Sequence, residues 1–128
     1  MPFDFSPAEA RSLQGLVNFN EGLAAEDIVE ARYQAEGYDV IARRWRGQGC
    51  EIDLIFQGDD GFVFVEVKKS STFARAAERL TPQQMRRICL AAEEFCAEHA
   101  PGQLVNMRLD LAMVDGTGQT DVIPNISI

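Results

Sequence analysis

The sequence is poor in the side chains that build zinc or disulfide centres, with three cysteines and one histidine in 128 residues. Cys50, Cys89 and Cys96 form no Cys-x-x-Cys pair and His99 stands alone. That spacing excludes a zinc site built from cysteine and histidine. Cys89 and Cys96 lie seven apart, on one helical face, and read as core packing. A reducing, cytoplasmic compartment is the expectation. No apolar run approaches the ~20 residues that span a bilayer, so no membrane partner is expected. The opening MPFDFSPAEAR lacks a basic region followed by an apolar one, so no secretory signal is expected either. Positive charge is scarce as well. Twelve Lys and Arg face twenty Asp and Glu, a net charge of −8 that argues against a surface wrapped in nucleic acid.

What the chain does have is apolar residues, 46% of it, spread throughout, enough for one domain of 1–128 around a single core. Its few cations are also concentrated. Residues 43–87 hold nine of the twelve Lys and Arg against six acids, so the positive charge gathers in one stretch. Residues 1–19 form a weakly patterned lead-in, with a short helix after Ser6-Pro7. Residues 20–114 form the core, and 115–128 a turn and short last strand. From about Asn20 to Glu36 the period is helical, with Ala24, Ile28, Ala31 and Ala35 grouped and Ala25, Val29 and Tyr33 beside them. Gly37 is placed to end that helix. Strands follow at Tyr38–Arg44, 50–57 and 61–69, then a loop containing a helical turn over Ser70–Arg79. Thr81-Pro82 opens a helix to His99, with Met85, Ile88, Cys89, Ala92, Phe95 and Cys96 inward. Leu104–Val114 and Asp121–Ile128 read as further strands. The order predicts an α/β fold, an α/β/α sandwich around a mixed sheet.

One hairpin breaks the pattern of a buried sheet. In CEIDLIFQGDDGFVFVEVKKS, alternation puts Ile52, Leu54 and Phe56 on one face and Glu51, Asp53 and Ile55 on the other. Closing the hairpin between Asp59 and Asp60 sets Asp53 opposite Glu66 and Glu51 opposite Lys68. Opposed Cβ atoms are ~4.5–5.5 Å apart, where like charges destabilise a strand pair. Such a carboxylate pair needs a cation or a shared proton. Mg²⁺ fits, since it takes a couple of carboxylates plus waters, and Lys68 would reach the same space to steady a phosphoryl transition state. The alternative is a solvated face with a Glu51–Lys68 ion pair, but Phe62, Phe64 and Ile55 share that face and would cover part of it.

The spacing D-x(12)-E-x-K resembles the core of the restriction-endonuclease-like, or PD-(D/E)-x-K, nuclease superfamily. The words GLAAE (22–26), EIDLI (51–55), FVEVK (64–68) and RLD (108–110), in that order, resemble its YraN branch, a bacterial family related to Holliday-junction resolvases. The resemblance implies a restriction-endonuclease-like α/β/α sandwich and a DNA nuclease using Mg²⁺ or Mn²⁺, acting on branched or damaged structures. Asp53, Glu66, the Val67 carbonyl and Glu26 would be the metal ligands, and Lys68 the catalytic lysine. Arg43, Arg44, Arg46, Lys69, Arg75, Gln84, Arg86 and Arg87 are candidates for contacts to nucleic acid, most of them to phosphate. A homodimer is among the implied states. Cys50, Arg44 and Gln84 depart from the branch, which commonly has glycine, asparagine and lysine there. Two other readings are open at this point: a binding module for nucleic acid or protein that keeps the nuclease fold without its chemistry, and a cytosolic protein with no nucleic-acid role.

Overall fold

The computed structural model describes residues 24–126. Helix α1 occupies residues 24–35 of these. It ends in a Schellman arrangement, with Gly37 at φ +95 and the Tyr38 amide donating to the Tyr33 carbonyl at 3.1 Å. Strands β1 (Asp39–Arg46), β2 (Glu51–Gly58) and β3 (Gly61–Lys69) follow. Helices α2 (Phe73–Glu78) and α3 (Pro82–His99) then cross over to β4 (Asn106–Val114) and β5 (Thr120–Ile123). The five strands stand in sequence order in one sheet, antiparallel except for β3 and β4. Parallel neighbours need a long crossover, and α2 with α3 supply it.

Helices cover both faces. On one, Ala25, Val29 and Tyr33 of α1 pack on Leu54, Phe56, Val63, Val65, Ala112 and Val114. On the other, Ile88, Ala91, Ala92 and Phe95 of α3 pack on Ile52, Ile55, Phe64 and Leu109, while Ala76 of α2 meets Leu111 and Met113. This is the α/β/α sandwich with a mixed central sheet that the sequence implies. The hairpin closes as expected, with Gly58 opposite Gly61 around Asp59 and Asp60.

Several expectations shift. The inner stripe of α1 is Ala25–Val29–Tyr33. Ala24, Ile28, Ala31 and Ala35 are exposed. The helix turns that way because Tyr33 is anchored: its hydroxyl donates to the fully buried Asp110 at 2.6 Å. The helical turn expected within residues 70–79 is α2, capped by Thr72, whose hydroxyl accepts from the Arg75 amide. The last strand is shorter than expected, Thr120–Ile123. The helix expected after Ser6-Pro7 and the start of α1 at Asn20 lie outside the described residues. Cys50, Cys89 and Cys96 are unpaired thiols packed, half-buried, against the core under α3. Among the described residues no helix is long and apolar enough to cross a membrane.

Asp110 holds a second set of polar contacts together. Arg108 donates to both its oxygens, at 2.9 and 3.0 Å, and also reaches the Tyr38 hydroxyl. The Asn125 amide donates at 2.9 Å. Burial, and the bond to Asp110, push the Tyr33 hydroxyl well above its ordinary range. The RLD word therefore ties α1, the start of β1, β4 and the C-terminal segment into one network, a structural role that the sequence reading left unassigned.

Candidate active site at a fork in the sheet

The ladder between β2 and β3 runs from Gly58–Gly61 to Leu54–Val65 and stops there. Beyond that rung, Ile52 and Glu51 stay paired with Trp45 and Arg46 of β1, and Glu66 to Lys69 stay paired with Leu111 to Val114 of β4. The sheet therefore forks, and the first residues past the last rung are Asp53 and Glu66. Asp53 closes the fork with its side chain, Oδ2 accepting from the Val67 amide at 2.8 Å. The strict alternation expected of β2 slips at this point. Ile52 packs under α3 with Ile55, not with Leu54 and Phe56, because without its β3 partner the strand is free to twist. The expected Glu51–Lys68 rung does not form either. Glu51 lies 3.8 Å from Arg44 and 3.9 Å from Arg46, and Lys68 Nζ sits 3.3 Å from Glu66 Oε1.

Asp53, Glu66, Val67 and Lys68 line a cleft of about 720 Å³, together with Ala25, Glu26, Lys69, Ser70, Ser71 and Arg79. Glu66 is only 9% exposed. Burial first, and then the charge of Asp53, push its carboxyl up to about 8, against the pull of Lys68. Burial also raises Asp53, while the Val67 amide holds it down. At neutral pH the pair therefore keeps a proton unless a cation replaces it. That is the electrostatic state the hairpin pattern implies.

Glu26 reaches the same cleft from α1, but its carboxylate is engaged. Arg44 donates to both oxygens, at 3.0 and 3.2 Å. Burial and the nearby Asp53 raise Glu26, and Arg44 opposes them. Among the described residues, no three carboxylate, histidine or cysteine side chains gather closely enough to enclose a metal ion. The donor set that fits one is thus the hard oxygen pair of Asp53 and Glu66, which suits Mg²⁺, an ion that keeps most of its waters. Arg44 is itself unusual. Its φ of +50 lies in the left-handed region, where a residue with a Cβ loses roughly 1–2 kcal/mol. Asparagine tolerates that conformation better than arginine, which gives the branch's common asparagine there a physical reason.

The other expected contacts to nucleic acid scatter. Arg43 forms a two-pronged pair with Glu30, and Arg46 leans on Glu51, both on the edge strand β1. Gln84 completes a capping box, its Oε1 accepting from the Thr81 amide. Its side chain is occupied at the start of α3 and does not line the cleft. Arg75 reaches only the Ser71 hydroxyl, at 3.5 Å, and Arg86 and Arg87 are exposed on α3. Of that set, Lys69 alone lines the cleft. Arg79, which the sequence reading passed over, lines it too. The signal that could have found it was the Thr72 cap, which fixes where the helical turn starts and so puts residue 79 at its end.

Residues 25–114 match the model of the uncharacterised protein family UPF0102. The chain belongs to the UPF0102 family. A UPF0102 protein of Ruegeria pomeroyi is 50% identical over 117 residues, covering 91% of this chain and 95% of that one. One from Dinoroseobacter shibae is 44% identical over 126 residues, 98% of this chain and 94% of its own. UPF0102 is the YraN family, so the resemblance read from four sequence words is the family that most of the chain matches. The matched span runs from α1 to the end of β4 and contains Glu26, Asp53, Glu66, Lys68 and the Arg108–Asp110 network.

Proposed function

We propose that the protein is a metal-dependent phosphodiesterase that cuts DNA, acting on branched or single-stranded structures. The observation that carries this reading is the convergence of Asp53, Glu66 and Lys68 where β2 and β3 part, at the floor of an open cleft. A purely structural hairpin gains nothing from a buried and a half-buried carboxylate that must share a proton. Asp53 and Glu66 would hold Mg²⁺ or Mn²⁺, with the Val67 main chain beside them. Such an ion would supply positive charge to neutralise the pair and Lewis acidity toward a phosphoryl oxygen or water. The Val67 amide fixes Asp53, so one carboxylate is oriented before any ion arrives. Lys68, held against Glu66, is placed to orient the nucleophile and stabilise the charge that develops on phosphorus.

The test is cleavage by purified protein of branched, single-stranded and duplex DNA, with and without Mg²⁺ or Mn²⁺. Cutting should require the ion and fall ~10²-fold or more in Lys68→Ala. A second reading, a nucleic-acid or protein-binding module on the nuclease fold, draws support from the commitment of Glu26 to Arg44. It wins if the protein binds branched DNA but cuts nothing under any of these conditions.

A further inference from the structure

The cleft continues past the chemistry, and its walls differ in charge. Glu26, Asp53 and Glu66 supply carboxylates, while Lys69, Ser70, Ser71 and Arg79 supply cations and hydroxyls. Most arginines near the site are already spent on the protein's own acids: Arg43 on Glu30, Arg44 on Glu26, Arg46 on Glu51 and Arg108 on Asp110. Arg79 is different. Among the described residues it has no carboxylate within 4 Å, and Nη1 donates instead to the Lys69 carbonyl at 2.7 Å. That bond ties the end of α2 to the last residue of β3, the strand that carries Glu66 and Lys68. The helix behind it is fixed as well, by the Thr72 cap and by Ala76 buried on Leu111 and Met113. The guanidinium is therefore held in register with the catalytic strand and keeps donors in reserve.

We propose that Arg79, with Lys69, Ser70 and Ser71, forms an anion subsite that takes a phosphate neighbouring the one attacked. The preferred ligand is then a strand with consecutive phosphates, not an isolated phosphodiester. The inference rests on the phosphodiesterase reading and names the residue that positions its substrate. Arginine suits the task because its planar fork meets two phosphate oxygens at once.

The test uses the full chain. In a Lys68→Ala background with Mg²⁺, binding of a short single-stranded deoxyoligonucleotide is measured against salt, with and without Arg79→Gln. The substitution should weaken binding about tenfold and flatten the dependence of log K on log salt by ~0.7, the loss of one phosphate contact to a single strand. With Lys68 in place, KM should rise about tenfold while kcat stays within about twofold. Arg79→Lys should keep the salt slope yet recover only part of the affinity. An arginine that merely fastened α2 would lower the melting temperature and leave the slope alone. Unchanged affinity and slope in a chain that binds DNA overturn the subsite and spare the function. If the unmodified chain neither binds nor cuts, the phosphodiesterase reading falls and the subsite falls with it.

Discussion

Glu66→Gln should make the metal-free protein more stable in mild alkali, an unusual outcome for a substitution in a buried site. The Glu66 carboxyl lies near 8 in the folded chain against an ordinary 4.5, chiefly through burial and then through Asp53. Between those values the folded state holds a proton that the unfolded chain has released. The stability linked to that proton is fully present below about pH 4.5 and is lost as pH rises through about 8. At roughly 1.4 kcal/mol per tenfold, the loss is on the order of 5 kcal/mol across the window. Glutamine keeps the shape and has nothing to titrate. The two proteins should therefore be of similar stability near pH 5 and diverge towards pH 9, with the variant ahead by up to several kcal/mol.

Urea unfolding in chelator can follow this through Trp45, the only tryptophan, which packs edge-on against Phe95 at 5.3 Å. The difference between the two proteins is the quantity to read, since general repulsion among twenty acids affects both alike. Mg²⁺ should then restore wild-type stability at high pH by RT ln(1 + [Mg]/Kd), about 1.4 kcal/mol at ten times Kd, and do much less for the variant. A difference that stays constant with pH would refute the shared-proton account of the site, and with it the electrostatic reason for placing an ion there.

Three other outcomes follow from the same geometry. Lys68→Ala should keep most of the Mg²⁺-induced rise in melting temperature while losing cleavage, because lysine is not a ligand; an equal loss of both would make its role structural. Arg44→Asn accepts the left-handed backbone but cannot span to Glu26, so Glu26 should join the acidic pair and tighten Mg²⁺ binding several-fold by calorimetry, and an unchanged affinity would mean that Glu26 never competes. Asp110→Ala removes the common acceptor of Tyr33, Arg108 and the Asn125 amide and should cost ~3–5 kcal/mol in urea unfolding, the scale for orphaning a buried pair; Tyr33→Phe, losing one hydrogen bond, should cost roughly 1.

The sandwich was legible because its signals are local and redundant. Thr81-Pro82 starts α3, Gly37 ends α1, and the two-residue turn at Asp59-Asp60 sets the register of the hairpin. The candidate site was half legible. Counting residues across that turn brought Asp53 to Glu66, since register follows from the loop and needs no tertiary knowledge. Glu51 against Lys68 came from the same counting and did not survive, because register cannot say where a ladder ends. Nor could it say that Arg44, from a third strand, would hold Glu26. That contact depends on a residue at φ +50 on an irregular edge strand, and no periodicity announces one. Charge gave the weakest guide. Nine cations cluster in one stretch of sequence, yet those on β1 meet acids from α1 and β2, and of the rest only Lys68, Lys69 and Arg79 line the cleft.

The fork and the site are one feature. Had β2 and β3 stayed laddered past Leu54 and Val65, Asp53 and Glu66 would sit as an opposed pair facing the apolar underside of α3. No opening would then admit an ion or a phosphate. Parting the strands gives up backbone hydrogen bonds on both sides, and an unmet buried amide costs ~1–3 kcal/mol. The Asp53 carboxylate recovers one of them by accepting from Val67, which also fixes its direction. The cost of bringing two carboxyls together, met by a shared proton or a cation, works the same way, by making continued pairing of β2 with β3 the less stable choice. The acids that look misplaced in an apolar hairpin therefore end the ladder where the chemistry needs space. Replacing both with their amides should remove that cost and, with it, the reason for the strands to part at that rung.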